Sequence, residues 1–226
     1  LSAAPWLGGT ETGETAARSL ALLVPVEPSK IVCVGRNYGA HARELGNQVP
    51  DEPLLFLKPP SALCAPGATI ELPAMSQRVE HEAELGVVIG KRLRHASLDE
   101  VAAAIAGITC VNDVTARDLQ RKEVQFTRAK SFDTFCPVGP HVETELPDLR
   151  NLQVSARVNG SLRQQGNTRD MTFPVLELIR FMSEVMTLLP GDLISTGTPE
   201  GVGPLAAGDQ VEVEVEGVGV LRNVVR

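Results

Sequence analysis

Proline and glycine interrupt this chain so often that few long helices fit between them: 16 prolines and 20 glycines fall in 226 residues. A proline within a helix removes a backbone donor and clashes with the preceding turn, and an interior glycine costs backbone entropy. The stretches between these breakers are short and apolar and end on turn formers, so the chain reads mainly as strands and turns. IVCVG, LLFLK, ATIEL, EHEAELGVVIG, ITCVNDVT and VEVEVEG are the expected strands, the last with one charged face. Asn159-Gly160 supplies the two positive φ values of a type I′ turn, which predicts a hairpin between LQVSARV and SLRQQG. Helices are expected at AHAREL, at ARDLQRK and over PVLELIRFMSEVMTL, an amphipathic segment with Leu176, Ile179 and Val185 among its apolar positions. A further helix runs over SLDEVAAAIAG, where Ser97 and Glu100 form a capping box and Gly107 is the expected stop. The sum is an α+β, β-rich domain over residues 29–226 closed as a barrel or roll, preceded by an arm over 1–28 with one short strand at LALLVPV.

Composition narrows the class of function. With 43% hydrophobic and 22% charged residues the chain has the balance of a folded globular body. Its formal charge of -7, with no Lys/Arg stripe, speaks against nucleic acid as a partner. The longest nearly unbroken apolar run, Val101 to Val111, falls short of the roughly 18 residues of a membrane span. The N-terminal sequence lacks a basic stretch followed by an apolar one, and a cytoplasmic location is expected. Cys33, Cys64, Cys110 and Cys136 show no CxxC pairing and read as buried, reduced thiols.

One segment stands out chemically. In VEHEAELG, Glu80, Glu82 and Glu84 alternate along an expected strand, so all three share one face at roughly 7 Å spacing. Such crowding beside the apolar run LGVVIG fits either a solvated strand face or a site for a hard divalent cation. Asp113, ending another apolar strand, is a third candidate ligand, whereas Leu85 stands where a zinc HExxH motif needs its second histidine. If the chain turns helical after Asp113, Arg117 and Gln120 fall on the same face, and Lys130 adds another cation. His41 and Glu44, three residues apart on the AHAREL helix, are either solvated surface residues or a pair able to activate water. STGTPEGVGP is a Gly-rich turn able to offer backbone N–H groups and hydroxyls to an anion, and neither GxxxxGK[ST] nor GxGxxG occurs.

The ordered motifs GRNYGAH, FLKPPSAL, EHEAELGVVIGK, VNDVTARDLQ, RAKSFDTFCPVGP, VNG…RQ and PGDLISTGTPEGVGP resemble the fumarylacetoacetate hydrolase family over residues 30–226. The likeness is greatest to the short single-domain members, of the acylpyruvate hydrolase, oxaloacetate decarboxylase and 2-hydroxyhepta-2,4-diene-1,7-dioate isomerase type. This resemblance implies a mixed β-sheet roll with few short helices, a Mg²⁺ or Mn²⁺ ion, a small 2-oxo acid substrate and a homodimer. It places the metal carboxylates on Glu82, Glu84 and Asp113, with Glu80 outside the pattern, and the catalytic groups on His41, Glu44 and Lys130. Substrate contacts fall on Arg117, Gln120, Thr198, Arg36 and Tyr38. The implied reaction is metal-dependent hydrolysis of the C–C bond of 2,4-dioxo acids to pyruvate and a carboxylic acid, with oxaloacetate decarboxylation or dienedioate isomerisation as alternatives. A metal-stabilised binding protein without catalysis is the remote one. Phe126 stands where similar chains often carry Trp.

Overall fold

The computed structural model describes residues 21–226. In chain order the elements are β1 (Ile31–Gly35), α1 (Gly39–Glu44), β2 (Leu54–Lys58), β3 (Leu63–Cys64), β4 (Thr69–Ile70), β5 (Val79–His81) and β6 (Ala83–Ile89). They continue with α2 (Leu98–Ala102), β7 (Ile105–Asn112), β8 (Thr115–Ala116), α3 (Arg117–Lys122), α4 (Thr127–Lys130) and β9 (Cys136–Glu143). The last are β10 (Gln153–Val158), β11 (Ser161–Asn167), α5 (Val175–Val185), β12 (Leu193–Ser195), β13 (Gly203–Pro204), β14 (Gln210–Val215) and β15 (Gly219–Val225).

The strands build a seven-stranded sheet ordered β2-β1-β12-β6-β7-β9-β3, a five-stranded sheet β11-β10-β14-β15-β4 and a small sheet β13-β5-β8. Pairing is mixed: β1 runs parallel to β12 and β15 to β4, while β6 pairs antiparallel with both β12 and β7. The large sheet is buried on both faces, which explains its near-continuous apolar strands. Along β1, Val32 and Val34 belong to the main apolar cluster, which also takes in Leu178 of α5 and Val154 and Val213 of the five-stranded sheet. Ile31 and Cys33 point the other way, into a second cluster with Val111, Val138 and Leu193. This is the β-rich α+β roll with short helices that the sequence implied.

The hairpin forms as expected, with φ of 51° at Asn159 and 76° at Gly160 between β10 and β11. The Ser97–Glu100 capping box also forms. Three expectations about neighbouring elements fail. The helix α2 ends at Ala102 and not at Gly107, because β6 pulls the chain into its ladder, with Ile105 opposite Ile89 and Gly107 opposite Val88. Glycine at 107 serves a close approach instead: a Cβ there would lie 2.4 Å from Val142 Cγ1 and 2.5 Å from the Glu143 carbonyl oxygen. EHEAELGVVIG is not one strand, since the ladder breaks at Glu82 and β5 joins the small sheet. Asp113 is not on a helix with Arg117, because β8 intervenes and α3 begins at Arg117.

At the start of the described chain, residues 21–26 form no strand, and Leu20 of the predicted LALLVPV strand lies outside the described residues. Val185, at the end of α5, is exposed, the buried face being Leu178, Ile179 and Met182. All four cysteines are buried free thiols. No helix among the described residues is long and apolar enough to cross a membrane.

Candidate active site

The break between β5 and β6 is what assembles the site. Ala83 pairs with Asn112, so Glu82 and Asp113 leave the β6–β7 ladder side by side, with Asp113 N donating to the Glu82 carbonyl at 2.9 Å. Asn112 Oδ1 caps the break by accepting from Glu82 N at 3.0 Å. Glu84, one pleat further, accepts from Ser195 Oγ, at the end of β12, and from Gly197 N, in the turn that follows, at 2.8 Å. One carboxylate oxygen each from Glu82, Glu84 and Asp113 lies within 4.8 Å of the other two, and all three residues are buried. Glu80 is drawn aside into ion pairs with Arg78 and Arg117.

The charges do not balance evenly within this triad. Lys130 Nζ reaches Glu82 at 2.8 Å and Asp113 at 2.6 Å, and Arg117 Nη2 reaches Glu82 at 2.5 Å. Burial alone would push Glu82 up, but Lys130 and Arg117 outweigh it and hold the carboxyl far below its usual range. Burial also opposes the charged Lys130 ammonium, but Asp113 and Glu82 raise it above the ordinary lysine value. Glu84 has no such cation: burial first, then the Asp113 and Glu82 carboxylates, push it up to about 8. The cluster therefore lacks one centre of positive charge, and three buried carboxylates converging on one point are the donor set that Mg²⁺ or Mn²⁺ prefers. The residues fit a divalent ion.

A cavity of about 470 Å³ opens over the site, lined by Glu82, Glu84, Arg117, Gln120, Lys130, His41 and Thr198, with Arg36 also on its wall. That volume falls in the roughly 300–1,000 Å³ range of small-molecule sites. His41 is buried on α1, and its Nδ1 lies 3.2 Å from Glu44 Oε2. Glu44 is itself held, its Oε1 accepting from Gly201 N at 3.0 Å, so the turn after β12 orients the pair. Arg117 Nη1 donates to Gln120 Oε1 at 2.5 Å on α3, which leaves the Gln120 amide N–H groups for the cavity. Phe126 lines the cavity and meets Phe56 edge-on, and Lys130 Nζ sits 5.0 Å from the Phe56 ring centre.

Two of the sequence candidates are placed differently from the rest. Tyr38 packs into the main hydrophobic core and does not line the cavity; its hydroxyl has no partner among the described residues. Thr198 lines the cavity, but its hydroxyl is already committed, donating to the Ala83 carbonyl at 2.8 Å and accepting from Gln164 Nε2 at 2.7 Å.

Two buried residues escaped sequence reasoning. Lys58, at the end of β2, donates to Asp113 Oδ1 at 2.5 Å and to the Val114 carbonyl at 3.1 Å. Gln164, on β11, ties the strand break to the TGTP turn: its Oε1 accepts from Ala83 N and His81 Nδ1, and its Nε2 donates to Thr198 Oγ1 and the Pro199 carbonyl. The signal for Lys58 was a lone charge closing the apolar run LLFLK. The signal for Gln164 was its place in the VNG…RQ motif, to which no chemical role was attached.

Comparison with known proteins gives the same picture. A family model described as fumarylacetoacetate (FAA) hydrolase C-terminal matches residues 30–226. An uncharacterized protein of Methanocaldococcus jannaschii is 53% identical over 201 residues, covering 89% of this chain and 84% of that one. The mitochondrial oxaloacetate tautomerase FAHD2B of Bos taurus is 46% identical over 216 residues, covering 90% and 69% respectively. Among solved structures, 5-carboxymethyl-2-hydroxymuconate delta-isomerase from Mycobacterium smegmatis superposes with a TM-score of 0.88 at 46% identity, over 95% of this chain and 85% of that one. With fold, carboxylate triad and sequence in agreement, the chain belongs to the fumarylacetoacetate hydrolase family.

Proposed function

We propose that the protein is a divalent-metal-dependent enzyme that moves a proton on an enolisable 2-oxo acid, with keto–enol tautomerisation of an oxaloacetate-like substrate as the simplest case. The observation that carries this reading is His41, which is paired with Glu44 and stands on the wall of the same cavity that Glu82 and Glu84 line. Glu82, Glu84 and Asp113 would hold the ion, which when bound supplies Lewis-acid polarisation of the substrate's carboxylate and 2-oxo group. His41 takes a proton from the carbon beside the 2-oxo group and returns it on oxygen, a shift that neither adds nor removes an atom. Glu44, fixed by Gly201 N, keeps the imidazole aimed and offsets the positive charge it acquires.

Donors remain for the oxygen on which negative charge develops. Lys130 spends two of its three ammonium N–H groups on Glu82 and Asp113, and Arg117 spends three of its five on Glu80, Glu82 and Gln120. The free ones, with the Gln120 amide, are in place before substrate arrives, which is what makes such donors effective. A tautomerase and a delta-isomerase, by name proton-shifting enzymes, are among the relatives described above and support the reading.

A second reading, hydrolysis of acylpyruvates to pyruvate and a carboxylic acid, is favoured by the size of the cavity. About 470 Å³ is more than an oxaloacetate-sized acid fills and leaves room for an acyl chain and a water that His41 would deprotonate. Decarboxylation, in contrast, requires no base. The test is a His41→Ala variant assayed for enol–keto conversion of oxaloacetate by ultraviolet absorbance and for acetylpyruvate hydrolysis by product NMR. The expected loss in kcat is on the order of 10²–10⁴-fold. A variant with normal kcat on its best substrate contradicts the role of His41 in both readings.

A further inference from the structure

Four buried carboxylates, Glu80, Glu82, Glu84 and Asp113, face three buried cations, Lys58, Arg117 and Lys130. The group is short of one positive charge, whereas a divalent ion brings two. The surplus falls on the cations already present, and these differ in how far they can give way. Arg117 and Lys130 line the cavity, so their charge also meets any anion that enters it. Lys58 does not line the cavity, and its side chain is 0% exposed. It comes off the end of β2 with its Nζ 2.5 Å from Asp113 Oδ1 and 3.1 Å from the Val114 carbonyl. Lys130 Nζ takes the other Asp113 oxygen at 2.6 Å, so both oxygens of this carboxylate already accept from an ammonium. Cross-strand partners share a face of a sheet, and the partner of Lys58 is Ile31, which belongs with Cys33 and Cys136 to the second apolar cluster. Among the described residues Asp113 is the one ion-pair partner that Lys58 has. Its charge can turn neither to the substrate nor to another acid.

We infer that Lys58 sets the affinity of the carboxylate triad for its ion: its fixed charge beside Asp113 weakens divalent-ion binding, so that the triad exchanges the ion instead of locking it in. Lys58 is a positioning residue in this role, acting through Asp113 and touching no substrate. A charge at such range moves a carboxylate's affinity for a proton by about 1–3 pKa units, or roughly 10–1,000-fold, and a doubly charged ion feels the same field twice over. The inference rests on the divalent-ion reading of the triad, and its test tells the failure of one from the failure of the other.

Mg²⁺ is titrated by calorimetry into protein stripped with EDTA and dialysed, without substrate, for the wild type and for Lys58→Met, Lys58→Gln and Lys58→Arg. Methionine and glutamine remove the charge, and arginine keeps it. Both neutral variants are expected to bind Mg²⁺ at least about tenfold more tightly than the wild type, and Lys58→Arg no more tightly than it. A merely structural role moves the affinity the other way, because a displaced Asp113 is a poorer ligand. Affinity no tighter than wild type in either neutral variant, or a rise of equal size in Lys58→Arg, overturns the inference. A wild type that binds no Mg²⁺ overturns the metal-dependent reading, and the inference with it. Where a neutral variant does not fold in EDTA, the rise of its urea midpoint with Mg²⁺ concentration reports the same affinity, since an ion that binds only the folded chain stabilises it according to its concentration relative to Kd. Every arm reads ion binding, not turnover.

Discussion

Lys58 makes the residue-scale logic plain. It is fully buried at the end of β2, and among the described residues its ammonium is bonded only to Asp113 and the Val114 carbonyl. Replacing it with methionine leaves Asp113 with one cation in place of two and a buried carboxylate under-compensated, a class of change that costs about 3–5 kcal/mol. Urea unfolding of Lys58→Met in EDTA is expected to show that loss, with part of it recovered on adding Mg²⁺; a midpoint equal to wild type in EDTA contradicts the pairing. The four thiols give a pH prediction. Burial above all pushes Cys110 and Cys136 up to about 12 and Cys64 to about 11, from an ordinary 9.0. A raised thiol pKa favours the fold below 9.0, where both states hold the proton, and that advantage is lost as pH rises toward the folded values, because the unfolded chain ionises first. Stability measured by denaturant titration is therefore expected to decline from about pH 9 upward, and Ellman's reagent at neutral pH to react only once the chain is unfolded. At this scale Glu82, Glu84 and Asp113 were legible, because carboxylates alternating beside an apolar run demand compensation. Lys58 was not, since its partner lies 55 residues away and a lone strand-end lysine usually reaches water.

At the scale of elements, local signals held where both partners are close in sequence. The Asn159-Gly160 hairpin and the Ser97 capping box each depend on a handful of adjacent residues, and both form. Glycine was the misleading letter. Gly107 has the look of a helix stop, yet it is a strand residue whose missing side chain lets β9 approach, and nothing local distinguishes the two. Gly107→Ala forces a Cβ against the Glu143 carbonyl and Val142, and is expected to destabilise by about 1–3 kcal/mol or more, the cost of overpacking a tight interior. Thermal unfolding checks this, and a variant as stable as wild type contradicts the observed register. The break at Glu82 was likewise invisible, because the seven residues from Glu80 to Gly86 alternate smoothly enough for one strand. What separates β5 from β6 is distant: Asn112 and Gln164 satisfy the backbone N–H groups of Glu82 and Ala83 that one continuous ladder would have used.

For the whole molecule, the architecture explains why a triad of buried acids is tolerated. A sheet packed on both faces supplies a large apolar core, and the site sits where its strands end beside the small sheet, with Lys58, Arg117 and Lys130 brought in from β2, α3 and α4. Family membership was legible because the motifs keep their order along the chain; the arrangement of three sheets was not, because it depends on pairings such as β1 with β12 across more than 150 residues. In the proposed function this triad binds a divalent ion on which chemistry at a 2-oxo acid depends. That dependence is tested most directly by incubating the purified protein with oxaloacetate, and separately with acetylpyruvate, in Mg²⁺ or in EDTA, while following substrate and product by NMR and ultraviolet absorbance. Enol–keto conversion of oxaloacetate, or release of pyruvate and acetate from acetylpyruvate, is expected to be accelerated in Mg²⁺ and to fall to the uncatalysed rate in EDTA. Equal acceleration in EDTA, or none with either acid in Mg²⁺, would contradict it.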